Sequence, residues 1–276
     1  MKNFKKYSSL AILLFLLALA TSVFVFPPLP SPCMAEEISN AAPQDMVLVQ
    51  EGEFIMGANS EEIRKMAVAA GAAPEWFADE PESKKVFVKS FYIDIYEVGN
   101  EEYKKFDPSH EFHSSLGDHP ALFIDWEKAD SFCKWKGKRL PTEAEWEKAA
   151  RGTDGGLYPW GNEFDPVKGN SQSSDSGSEA RVGKYKIASS GLKEKPGTVP
   201  VTSFAEGKSR YGAYNMAGNV WEWVDGWYDE KKGLRMLKGG SWMSPAISLR
   251  ASTRLLEMPK TQSNEYGFRC GRDVKF

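Results

Sequence analysis

Beyond Gly152, glycine or proline recurs every few residues, so this half of the chain does not sustain long helices and folds as turns and short strands. Composition still demands a core: 41% of the 276 residues are hydrophobic and 13% aromatic, enough for one large domain or two small ones. Upstream the marks of regular structure are clearer. Met46 to Met56 alternates apolar and polar residues and stops at Gly57. Val86 to Val98 (VFVKSFYIDIYEV) alternates again and is aromatic and β-branched, so each run is predicted as a strand. Glu61 to Ala73 is read as a short helix. Two helices are better marked. Asp125 caps Trp126 to Lys136, which Gly137 stops, and Thr142 with Glu145 forms a capping box for Glu143 to Arg151, stopped by Gly152. Lys168 to Pro196, rich in Ser, Gly and Lys, is predicted as a long surface loop. The expected fold class is α+β: a compact domain of low regularity over 45–276, with two short helices and turn-rich β-structure, behind a polar linker over 36–44.

The charge pattern excludes nucleic acid as a partner. The net charge is −3, and Lys and Arg are scattered rather than striped, so there is no basic footprint for a phosphate backbone. The N-terminus reads as a targeting segment. Lys2, Lys5 and Lys6 precede a charge-free apolar run from Leu10 to Phe26, and Ala35 offers a small residue at the cleavage position before Glu36. Residues 1–35 are expected to act as a signal peptide or, if retained, as an N-terminal anchor, with the protein exported to the periplasm or the extracellular space. Membrane contact is expected only in the retained case. Removing 1–35 discards three lysines and no acid, leaving a mature chain of net charge −6.

The same cleavage discards Cys33 and leaves Cys133 and Cys270, an even number in an oxidising compartment. A disulfide between them is the economical reading. It closes a loop of well over a hundred residues, which chain-entropy arguments value at roughly 4–5 kcal/mol. Two buried free thiols are the alternative.

One stretch poses a chemical question. In YNMAGNVWEW (214–223), Asn215, Gly218 and Glu222 place an amide oxygen, a turn glycine and a carboxylate within one short loop, with backbone carbonyls between them. Hard oxygens in a tight loop suit calcium. The plainer reading is that Asn and Gly are turn residues and that Glu222 pairs with an arginine. The three histidines, His110, His113 and His119, are spaced H-x2-H-x5-H. That pattern would suit a transition metal, but His110 and His113 read as solvated loop residues and His119 as structural.

Several segments together carry a resemblance. MVLVQEGEFIMG (46–57), FYIDIYEVGNEEYKKF (91–106), RLPTEAEWEKAARG (139–152), YPWGN (158–162), YGAYNMAGNVWEW (211–223), LKGGSW (237–242) and YGFRC (266–270) are similar, in order, to the sulfatase-modifying-factor family, whose best-known member is the formylglycine-generating enzyme. The resemblance covers Asp45 to the C-terminus and implies a single domain of low regularity related to the C-type lectin fold. It implies a calcium held by the side chains of Asn215 and Glu222 and the carbonyls of Gly218 and Val220, with Trp221 and Trp223 packing the loop. A second calcium is implied at Asn170 and the carbonyl of Ser171. It also implies the Cys133–Cys270 disulfide.

The departure from the family lies between GGSW and YGFRC. There the formylglycine generators carry a cysteine pair that binds copper(I) and activates oxygen, whereas this chain reads MSPAISLRASTR (243–254). No thiolate remains there to hold copper or to exchange with a substrate cysteine. Neither copper nor formylglycine generation is expected, and no catalytic residue is identified. Ser241, Trp242, Arg250, Arg254 and Arg269 lie on the segments that line the family's groove, and this mixture of guanidinium and aromatic groups suits a peptide, glycan or small carboxylate ligand. Two functions of different class remain: an exported, calcium-stabilised binding or accessory domain, and a tailoring oxidoreductase working without cysteine.

Overall fold

In the computed structural model, residues 43–173 and 197–275 are described, and they belong to one compact unit. Four α-helices occur among them: α1 (Ser60–Ala69), α2 (Asn100–Phe106), α3 (Trp126–Trp135) and α4 (Glu143–Arg151). Their ends follow the capping chemistry. The Asp125 side chain accepts from Lys128 N at 2.9 Å to start α3. At α4 the Thr142 hydroxyl accepts from Glu145 N and the Glu145 carboxylate accepts from Thr142 N, so the predicted capping box is complete. Helix α1 begins behind Asn59 and stops short of its predicted end, because Gly71 takes a positive φ of 69° and Pro74 opens a separate 3-10 turn over Pro74–Phe77. Helix α2 is capped by Gly99, which offers no side-chain acceptor, and so it leaves no mark in the sequence.

Each of the two predicted strands is a pair of strands in different sheets. The first run divides into β1 (Met46–Val49) and β2 (Gly52–Met56), and the second into β3 (Lys84–Val88) and β4 (Phe91–Asp94). Strand β1 pairs with β4 and β2 with β3, both antiparallel. The two runs therefore change sheet at the same level, where Glu51 N donates to Ser90 Oγ at 2.9 Å. Alternation continues through the break, and hydrophobic period reports which face a residue takes rather than which partner it pairs with. A third sheet has the order β7 (Leu255–Glu257), β6 (Leu234–Lys238), β5 (Trp221–Asp229), β8 (Tyr266–Gly267), with β8 parallel to β5. The last strand, β9 (Gly271–Asp273), pairs with β4 on the edge opposite β1, so the two ends of the domain close on one strand.

Strand β5 divides two apolar cores. Trp221 and Trp223 pack with Tyr103, Phe132, Leu140 and Phe268, while Val224 packs with Phe54, Phe91, Trp146 and Met236. Alternation along the strand accounts for this division, and it sends Glu222 to the same side as Val224. The first core contains the Cys133–Cys270 disulfide, which joins α3 to the segment between β8 and β9 across a Cα–Cα distance of 5.6 Å.

The loop predicted from Lys168 begins inside the protein, since Asn170 and Ser171 are buried; its residues 174–196 lie outside the described residues. The signal segment and nearly all of the linker also lie outside them, including the apolar run Leu10–Phe26. No helix among the described residues is long and apolar enough to cross a membrane.

Non-reducing peptide mapping is expected to recover Cys133 and Cys270 in a single cross-linked species. Replacing both by serine is expected to lower the unfolding free energy by about 2–5 kcal/mol in denaturant titrations. Unchanged stability would show that the bridge constrains little.

Candidate functional site

The 214–223 loop is built around left-handed backbone. Asn215 and Asn219 take positive φ values of 53° and 68°, a conformation that asparagine tolerates better than other residues with a side chain. Gly218 has φ 99°, and a Cβ there would stand 2.3 Å from the Asn170 carbonyl oxygen. Only glycine permits that approach. The two segments implied in calcium binding consequently touch: Asn219 N donates to Asn170 O at 2.8 Å, and Asn170 Nδ2 donates to Asn219 Oδ1 at 3.1 Å.

Alternation also positions the acid between the tryptophans. Phe268 and Cys270 face the core of Trp221 and Trp223, so Arg269, between them, meets Glu222 on the opposite side. Arg269 Nη2 donates to Glu222 Oε1 at 2.6 Å and Nε donates to Oε2 at 2.7 Å. Trp146 Nε1, from α4, adds a bond to Oε2 at 2.8 Å. The remaining guanidinium hydrogens go to the carbonyls of Asp94, Ile95 and Tyr214, so all five donors of this fully buried arginine are satisfied.

A second buried acid completes the cluster, and sequence reasoning passed over it. Glu97 accepts from Asn215 Nδ2 at 2.8 Å and from Asn219 Nδ2 at 2.9 Å. Burial, and then the nearby charge of Glu222, push its carboxyl up to about 8, against the opposing pull of Arg269. The available signal was the placing of two acids, Asp94 and Glu97, inside the apolar, aromatic run FYIDIYEV, where an unpaired charge is costly.

Two features of these groups suit calcium. Two buried carboxyls share one guanidinium, so both ionise together only where further positive charge is supplied. Asn215 Oδ1 is buried without a hydrogen-bond partner among the described residues, a deficit that a hard cation repairs. Glu222 Oε1, which accepts from Arg269 Nη2, keeps lone-pair capacity. The donors are amide, carbonyl and carboxylate oxygens. Among the described residues, no three His, Cys, Asp or Glu side chains converge to hold a metal.

The histidines stay apart. His110 pairs with Asn100 Oδ1 at 2.8 Å, His113 with Ser115 Oγ at 2.9 Å and His119 with Thr198 Oγ1 at 3.0 Å. His110 is half-buried rather than solvated, and burial lowers its pKa.

The groove arginines are committed to acids. Arg250 is fully buried and grips Glu80 through Nη1 and Nη2 at 2.9 and 2.6 Å. Arg254 grips Glu143 at 2.5 and 2.7 Å and donates to the Asp79 carbonyl. With Arg269 on Glu222, all three follow the plainer reading of an arginine paired with an acid. Ser241 is buried and donates to the Glu265 carboxylate. Trp242 is half-buried, with Nε1 3.3 Å from the Asn264 carbonyl, and Met243 beside it is exposed. Ile247, in the middle of the segment, packs against Ile63 and Ala67 of α1 and against Phe77.

Residues 33–274 match the sulfatase-modifying factor enzyme 1-like domain. The chain belongs to this family. It is 29% identical to a formylglycine-generating enzyme of Mus musculus over an alignment 298 positions long, gaps included, covering 83% of this chain and 75% of that one. It is 37% identical over 158 residues to the inactive C-alpha-formylglycine-generating enzyme 2 of Bos taurus, covering 55% and 49%. Among solved structures it is similar to PvdO from Pseudomonas aeruginosa, with a TM-score of 0.60 and 25% identity over 83% of this chain and 94% of that one. The α+β architecture described above is the family's, related to the C-type lectin fold.

Arg250→Ala is expected to act on stability, because it strands Glu80 in a buried setting; breaking such a pair from one side costs about 3–5 kcal/mol. Denaturant unfolding of the variant measures this. A loss under 1 kcal/mol would mean that Glu80 finds water.

Proposed function

We propose that this protein is an exported, calcium-stabilised binding or accessory member of its family that does not generate formylglycine. The observation that carries this reading is the state of its thiols. Cys133 and Cys270 are bonded to each other, and the 243–254 segment, where the family's generators keep their cysteine pair, has none. A disulfide offers no thiolate to a soft metal or to a substrate cysteine. The Bos taurus relative named as inactive supports the idea that this scaffold persists without that activity. Export is supported by the targeting pattern and by the disulfide, which belongs to an oxidising compartment.

Calcium would be held by Asn215 and Glu222 through side chains and by Gly218 and Val220 through carbonyls, with a second ion at Asn170 and Ser171. It supplies positive charge to a cluster rich in buried acid, and so stabilises the loop that carries Trp221 and Trp223. The three arginines give the groove segment its shape by ion pairing, and ligand contact falls to Trp242 and Met243.

Incubation of the purified protein with a sulfatase-motif peptide, copper and oxygen is expected to leave the peptide mass unchanged. A mass loss equal to thiol-to-aldehyde conversion, absent from a heat-denatured control, would overturn the reading. Chelation is expected to lower the thermal midpoint, since a ligand bound only to the folded state stabilises by mass action. An identical midpoint with and without chelator would contradict the calcium assignment.

A further inference from the structure

We propose that Glu97 is the positioning residue of the calcium loop: by holding the amide hydrogens of Asn215 and Asn219, it turns the Asn215 oxygen toward the ion. This inference rests on the calcium reading above and deepens it.

An asparagine amide fits a pocket in two orientations that exchange its oxygen and nitrogen, and the hydrogen-bond partners decide between them. At Asn215 the decision is made twice. Nδ2 donates to Glu97 Oε2 at 2.8 Å and to the Val201 carbonyl at 3.0 Å. Turning the amide over would set Oδ1 against a carboxylate and a carbonyl, two acceptors facing an acceptor. The amide is thereby locked, and its buried, unpartnered Oδ1 points away from Glu97 and Val201.

Asn219 is fixed by the same carboxylate with the opposite outcome. Its Nδ2 donates to both Glu97 oxygens, at 2.9 and 3.1 Å. Its Oδ1 accepts from Asn170 Nδ2 at 3.1 Å and from Val199 N at 2.9 Å. One asparagine thus has its oxygen consumed by the structure, and the other has its oxygen left to give. Glu97 sorts them. It lies three residues beyond the end of β4, far from the loop in sequence, so an isolated loop peptide lacks this control.

The test compares the full-length wild type with Glu97→Gln, measuring calcium affinity by titration calorimetry and the thermal midpoint of the chelated protein. Glutamine keeps the shape but presents an amide nitrogen to one of its two partners, which favours the flipped orientation. Calcium affinity is expected to weaken roughly 10–100-fold, the usual cost of losing a partner that orients a metal ligand. The midpoint of the chelated variant is expected to hold or rise, because glutamine keeps the shape of an acid whose ionisation burial and Glu222 already oppose. Unchanged affinity, or a lowered chelated midpoint with unchanged affinity, would overturn the proposal and make Glu97 a structural residue only. If the glutamine variant does not fold, Glu97→Asp replaces it: the carboxylate is retained one methylene short, and affinity is expected to fall by less, whereas wild-type affinity would contradict the proposal. A wild type that takes up no calcium would defeat the calcium reading itself, an outcome distinct from a wild type that binds and a variant that binds equally well.

Discussion

The buried pair of Glu222 and Arg269 organises the domain. Its partners come from α4 through Trp146, from the loop through the Tyr214 carbonyl, and from the end of β4 through the carbonyls of Asp94 and Ile95. A buried ion pair is not a large source of net stability, because desolvation offsets most of the Coulombic gain. What it provides here is geometry. Helix α4, the 214–223 loop with the start of β5, the end of β4 and the segment between β8 and β9 are fixed by donors with one arrangement that satisfies them all. In a domain whose described strands, β5 apart, run to five residues or fewer, such polar cross-links take over the register-setting that long ladders supply elsewhere.

The same device recurs around the groove segment. Arg250 with Glu80 and Arg254 with Glu143 attach 243–254 to the turn after α1 and to α4. Lys238, also fully buried, reaches Glu143 and Glu147. A segment without cysteines has been secured by charge and by the packing of Ile247, which suits a surface that holds its shape. The family scaffold persists, with no cysteine in residues 243–254.

The sequence disclosed what is local. Asp125, the Thr142–Glu145 box and Gly152 announced α3 and α4 because a cap is a bond between near neighbours. The Asn215–Glu222 loop was legible for the same reason, since its turn residues and its acid lie within one short stretch. Three things were not legible. The division of two alternating runs into four strands depends on partners, and partner choice has no period. The pairing of Arg250 with Glu80 and of Arg254 with Glu143 spans more than a hundred residues in each case. Glu97 lies unmarked inside the alternating run Val86 to Val98, because nothing near it indicates that two asparagines arrive from residues 215 and 219.

Elemental analysis of the purified protein by plasma mass spectrometry tests the central claim most directly. Calcium in stoichiometric amount, with neither copper nor iron, is the expected result: a hard cation suits the two buried acids Glu97 and Glu222 and the Asn215 oxygen left without a partner among the described residues, and Cys133 and Cys270 are bonded to each other. Stoichiometric copper or iron, or a calcium-free protein folded as stably as the calcium-loaded one, would contradict the account.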